Sequence, residues 1–149
     1  MRRTPRGFSL LELLIVVGLI GVITALAVPS VVRTLDTYGL DSDTSMLRAK
    51  LTEARMNAIK RNRQAWLAID TGSGTVTVQS TTGNPATTIN VGTVGYMDPR
   101  VAFSGTNPTE VRFDSMGRPT ATQTITVRAT RTGLQRTVAV SAAGKITVN

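Results

Sequence analysis

The sequence contains no cysteine and no histidine. Disulfide staples, thiolate or imidazole metal sites, thiol nucleophiles and any histidine general base are thereby excluded. Aromatic residues are scarce, at 4% of the chain, so few rings are available to stack on nucleic-acid bases. Acids are also in short supply, nine against seventeen basic residues. The formal charge of +8 overstates the basicity of the folded part. Arg2, Arg3 and Arg6 precede Gly7 without an acid among them, and without these three the charge falls to +5. That is mildly basic and a weak pointer to nucleic acid. The chain's 149 residues suffice for one domain and little more. Its 41% hydrophobic content is unevenly spread, with a large share in one run near the N-terminus.

That run, Leu10 to Val28, is almost wholly apolar. As a helix it would reach roughly 28 Å, close to the hydrocarbon thickness of a bilayer. The three arginines ahead of it predict an N-terminus that stays cytoplasmic while the remainder crosses. Pro29 follows, where it can kink or end the helix. Three readings compete: a single-span anchor, a cleaved secretory signal using Ala25-Leu26-Ala27, and processing at the Gly7-Phe8 junction. Glu12 discriminates among them. A carboxylate inside a membrane helix costs about 2.5–3.5 kcal/mol, and a plain anchor has no reason to hold one. Apolar regions of signal peptides are typically about 7–15 residues and lack an acid at their start. A free amine on Phe8, made by cutting after Gly7, would give Glu12 a partner and leave the apolar run on the mature protein.

Beyond the run, Leu47, Leu51, Ala54 and Ala58, with Met46 and Ile59, recur at three- and four-residue steps. The stretch from Val31 to about Arg61 therefore reads as an amphipathic helix with an apolar stripe against a domain. The segment Asp36 to Asp43 either caps a second helix near Ser42 or Asp43 or lies inside one long bent helix. Its acids Asp36, Asp41 and Asp43 read as caps and solvated surface, and not as a calcium site. From Ala65 the pattern changes to period two. Strands are predicted at Ala65–Asp70, Thr75–Gln79, Thr88–Val91, Val111–Phe113, Thr124–Ala129, Gln135–Val140 and Lys145–Val148. Gly72-Ser73-Gly74 marks a hairpin, and the single tryptophan, Trp66, is read as core. The helix's second half is expected on one antiparallel sheet of six or seven strands. No catalytic constellation emerges: Glu110 and Asp114 have nothing to pair them across a scissile bond, and Ser115 lacks a base.

Gly7-Phe8-Ser9-Leu10-Leu11-Glu12, behind a short basic leader and ahead of an apolar helix and Pro29, resembles the processing motif of type IV prepilins and pseudopilins. The resemblance implies that a membrane prepilin peptidase cuts between Gly7 and Phe8 and methylates the new amine of Phe8. It implies that Glu12 pairs with the N-terminal amine of a neighbouring subunit. It also implies an α+β, pilin-like fold: a long N-terminal membrane-spanning helix packed on a C-terminal antiparallel β-sheet domain. The expected organisation is a cleaved leader at 1–7, a transmembrane and filament-core helix at 8–29, an amphipathic helix at 30–63 and a β domain at 64–149. Val111 to Arg118 and Gly144-Lys145-Ile146 are similar to the GspH/FimT group of minor subunits. The expected partners are other pilin or pseudopilin subunits, the prepilin peptidase and the bacterial inner membrane, with the C-terminal domain periplasmic. No cofactor, metal or small-molecule substrate is expected. DNA is the alternative partner, with Arg128, Arg131 and Arg136 around the Thr132-Gly133 turn as its contacts. Against it, Gly144-Lys145-Ile146-Thr147 keeps only one basic residue of the Gly-Arg-x-Arg motif of FimT-like DNA binders.

Overall fold

The computed structural model describes residues 8–82 and 87–149, so Gly7 and the arginines before it lie outside the described residues. Helix α1 runs Leu10–Arg61, with Pro29 inside it. Proline lacks the N–H that would bond the Ala25 carbonyl, so the ladder misses one rung there. No second helix begins near Ser42, because Asp36 to Asp43 are interior residues of α1. The helix stops at Asn62, whose φ of 49° is left-handed. The Asn62 N–H donates to Ile59 O at 3.1 Å and the Arg63 N–H to Ala58 O at 3.1 Å. This double bond pattern around a left-handed residue is the Schellman motif, which satisfies carbonyls left over at a helix end.

The chain divides into two compact units, one ending at Leu35 and the other spanning Asp36–Asn149. In the first, every large apolar side chain from Leu10 to Val31 is at least 46% exposed.

The described residues of the second unit hold nine strands in two sheets: β1 Ala65–Asp70, β2 Thr75–Thr82, β3 Thr87–Asn90, β4 Gly95–Tyr96, β5 Val101–Phe103, β6 Glu110–Phe113, β7 Gln123–Ala129, β8 Gln135–Val140 and β9 Ile146–Val148. One sheet runs β3-β2-β1-β6, with β4 also on β2, and the other runs β5-β7-β8-β9, all antiparallel. The single sheet expected from sequence is thus two. Period-two burial shows which face of a strand is covered, but not which strand lies beside it, and two sheets around one core show the same alternation. Strands β4 and β5 are two and three residues long, too short for an alternation to register.

One core joins these elements. Leu40, Leu47, Leu51, Ala54 and Ala58 of α1 meet Leu67, Val76, Val78, Val111 and Phe113 of the first sheet, and Ile125, Val127, Val138 and Val140 of the second. The predicted helix stripe is therefore the buried one, except that Ile59 is 50% exposed. The β1–β2 hairpin closes at the expected glycines. Asp70 Oδ1 accepts the N–H groups of Gly72 and Ser73, and Gly74 takes a φ of 66°. Trp66 is buried, as expected. It is 5% exposed but belongs to the opposite face of β1 from Ala65, Leu67 and Ile69, outside the common core. Arg112 of β6 covers it, with Cζ 4.5 Å from the ring centroid. Its Nε1–H donates to Gln79 Oε1 at 2.9 Å, and Gln79 in turn donates to Asn90 at 3.0 Å. These four residues are cross-strand neighbours in register.

Candidate assembly site

Of the N-terminal residues named by the sequence, Phe8 and Glu12 are among the described residues. Phe8 is 79% exposed and precedes the helix. Glu12 is in its first turn and exposed. A carboxylate there is favoured by the unsatisfied N–H groups of a helix start. The helix is long and apolar enough in this part to cross a membrane. An apolar surface of this extent, with nothing covering it, needs lipid or another protein.

In the second unit, polar residues of α1 reach out and hold loops of the β domain. Arg55 donates from Nε to Gly117 O at 3.0 Å and from Nη1 to Gly144 O at 3.1 Å. The two segments that resemble the GspH/FimT group thereby converge on one side chain. Both glycines have a positive φ, 75° and 76°. A Cβ on Gly117 would lie 2.6 Å from Ile59 Cδ1, and one on Gly144 would lie 2.8 Å from Gly117 O. Glycine is favoured at this meeting of two turns, by the positive φ at both positions and by the backbone contact at Gly144. Lys50 donates to Thr93 O at 2.8 Å and pairs with Glu53 at 3.1 Å.

Further along the buried face, Asp36 accepts the hydroxyl and N–H of Thr132 at 2.8 and 3.2 Å. Asp43 accepts the N–H of Asp98 at 3.1 Å. Asp36 is 0% and Asp43 4% exposed, which corrects their reading as solvated surface. Asp41 alone faces outward, paired with Arg136 at 3.3 Å. The three acids do not converge, and no group of three or more metal-ligating side chains occurs among the described residues. The signal for burial was present in the sequence. Asp36 and Asp43 lie four before Leu40 and four before Leu47, on the periodic stripe that continues to Ala58. Nothing in the sequence marked Arg55, because its partners are backbone carbonyls.

The structure does not bring the three candidate DNA contacts together. Arg136 is the register partner of Val127, a core residue, so it leaves the core-facing side of the second sheet and meets Asp41. Arg128 is on the other face, beside Phe103 and Thr130, with Nη2 close over Gly133. Arg131 is exposed in the β7–β8 turn and not on a strand. A phosphate-tracking groove needs cations on one surface, and DNA binding is not favoured. Glu110 and Asp114 are also committed to other contacts. Glu110 Oε2 accepts Arg112 Nη2 at 2.8 Å, and Asp114 Oδ1 accepts the N–H groups of Met116 and Arg118.

Comparison with known proteins decides the family. A family model described as the type II transport protein GspH matches residues 43–144. The chain belongs to the GspH family. The prokaryotic N-terminal methylation motif matches residues 2–28 of the same chain. This GspH-family chain is 30% identical to the pilin-like protein PilA1 of Thermus thermophilus over 95% of its own length and 97% of the relative's. Its fold is that of the minor pseudopilin EpsH from the Vibrio cholerae type 2 secretion system. There the TM-score is 0.62 at 12% identity, over 74% of this chain and 95% of that one. It is also similar to the type IV minor pilin FimU of Pseudomonas aeruginosa, with a TM-score of 0.60 at 16% identity over 74% of this chain and 87% of that one. The likeness to these two structures is one of fold.

Proposed function

We propose that this GspH-family chain is a minor subunit that primes or enters a type II secretion pseudopilus or a type IV pilus through α1. The observation that carries the reading is the presence, in one chain, of the methylation motif at residues 2–28 and the GspH region at residues 43–144. A prepilin peptidase removes residues 1–7 by cutting after Gly7 and methylates Phe8. Before assembly, α1 holds the protein in the bacterial inner membrane. Its arginine-rich leader is cytoplasmic by the positive-inside rule, and the β domain is periplasmic. Pro29 is the point at which the helix bends as it leaves the bilayer.

Glu12 gives the assembly its register. Among packed apolar helices an unpaired carboxylate is costly, and the amine of Phe8 on a neighbouring subunit is a cation at the matching depth. The pair fixes axial position more than it adds stability. The test is co-expression of the full chain with a prepilin peptidase, followed by intact-mass measurement. Loss of residues 1–7 plus one methyl group is expected. A mature chain beginning at Met1 or near Val28 would overturn the reading. In the same system Glu12→Gln should be cut and methylated normally yet recovered in the membrane and not in filaments.

A further inference from the structure

Asp36 and Asp43 are two turns apart on the domain-facing side of α1, and both are buried. Buried carboxylates ordinarily have a cationic partner. Asp43 accepts the Asp98 N–H with both oxygens, at 3.2 and 3.1 Å, and has no ion pair among the described residues. Asp36 Oδ1 is buried without a hydrogen-bond partner, while Oδ2 takes Thr132. Arg100 is a cation whose field reaches both. Its Nε and Nη2 are held by Asp98 at 2.9 and 2.7 Å. Arg100 thus binds Asp98 directly and reaches the two buried carboxylates only through its charge. Of the other charges, Asp41 on α1 and Arg136 on β8 pair with each other, and Arg131 is exposed in the β7–β8 turn.

This cluster sits where the chain crosses from the first sheet to the second. Asp98 to Arg100 joins β4 to β5, and the crossing is pressed on the helix at Gly39, where a Cβ would lie 3.3 Å from Val101 Cγ2. The Arg100 carbonyl also accepts the N–H and hydroxyl of Thr130, at 2.8 and 3.1 Å, so the crossing ties α1 to the β7–β8 turn as well.

We propose that Asp43 is a proton-operated latch: taking up a proton tightens the hold of the Asp98–Val101 crossing on α1, and losing it loosens that hold. The neutral carboxyl keeps an oxygen to accept the Asp98 N–H and sheds the repulsion from Asp98. Burial first, and then the Asp98 charge, raise the Asp43 carboxyl to about 6, against the lowering by the Asp98 N–H and by Arg100. The folded state thus binds this proton more tightly than the unfolded chain, whose value is 3.8. The stabilisation is complete below about pH 4 and is lost as pH rises through about 6. Asp98 has the opposite sense, because the Arg100 side chain and N–H hold it below the usual range, and it acts only below about pH 4.

The test is hydrogen–deuterium exchange of the full chain in detergent micelles at pH 5.0 and 7.5, corrected for intrinsic exchange. Protection of the peptide containing Asp98–Val101 should be about ten-fold higher at pH 5.0. Asp43→Asn should remove that difference, and Asp41→Asn, at an exposed position, should retain it. Equal protection of the wild type at both pH values, or an undiminished difference in Asp43→Asn, overturns the latch. Should Asp43→Asn fail to protect the β1–β2 hairpin, carboxyl NMR titration of the wild type decides. An aspartate midpoint near 6 supports the latch, and midpoints all below 5 overturn it.

Discussion

Replacing Arg55 by leucine removes both hydrogen bonds that join α1 to the turns at Gly117 and Gly144. Leucine fills part of the arginine stem, so the loss is mainly polar. A hydrogen bond from a charged donor contributes about 1.5–3 kcal/mol when buried. Arg55 is only half-buried, and water replaces part of what each carbonyl loses, so about 1–1.5 kcal/mol per bond is a better figure. The two together give about 2–3 kcal/mol. For a folded unit running from Asp36 to Asn149, this corresponds to a fall in Tm of roughly 8–12 °C. Thermal unfolding of the full chain in detergent, followed by fluorescence of the single tryptophan, measures it, because Trp66 is buried inside the second unit. Arg55→Lys supplies a point donor in place of a planar fork and can serve one carbonyl, so it should lose about half as much. Arg48→Leu, at an exposed position two turns earlier, should shift Tm by less than about 2 °C. If Arg55→Leu also stays within about 2 °C of wild type, or if lysine restores everything, the two carbonyls are not held by the guanidinium fork.

Leu51→Ala, at a fully buried core position, should cost about 3 kcal/mol in chemical denaturation, through lost transfer energy and the cavity left behind. Gly117→Ala should cost about 1–3 kcal/mol. Part of that is the positive φ, and part is contact with Ile59, so adding Ile59→Ala should recover only the second part. Arg112→Gln should red-shift Trp66 emission by uncovering the ring, while lowering stability by only about 0.5–1 kcal/mol. Acid titration below pH 4 should destabilise the fold as Asp98 takes up a proton, since a carboxyl held low contributes stability that disappears as pH falls through its folded value.

What the sequence made legible follows from where each signal is stored. Processing and anchoring depend on residues adjacent in the chain, and so the leader, Gly7-Phe8, Glu12 and the apolar run could be read directly. The stripe from Leu47 to Ala58 and the strands β1 and β8 were readable for the same reason, since their periodicity is local. Trp66 shows where local pattern stops. Its burial could be inferred, but the face that covers it could not be read. Period two places Trp66 opposite Leu67, and an aromatic on the outer side of a sheet is covered only if a neighbouring strand supplies the cover. That cover is Arg112, forty-six residues later and brought alongside by the β1–β6 pairing. Asp36 and Asp43 show the converse case. Their spacing placed them on the buried stripe, but residue type outweighed position, because an aspartate is rarely buried without a partner. The partners are N–H groups of Asp98 and Thr132, which every residue but proline carries and no sequence pattern advertises. The same holds for the carbonyls that receive Arg55. Contacts from a side chain to a distant backbone leave no complementary residue to find, and in this domain they are what fixes the loops to the helix.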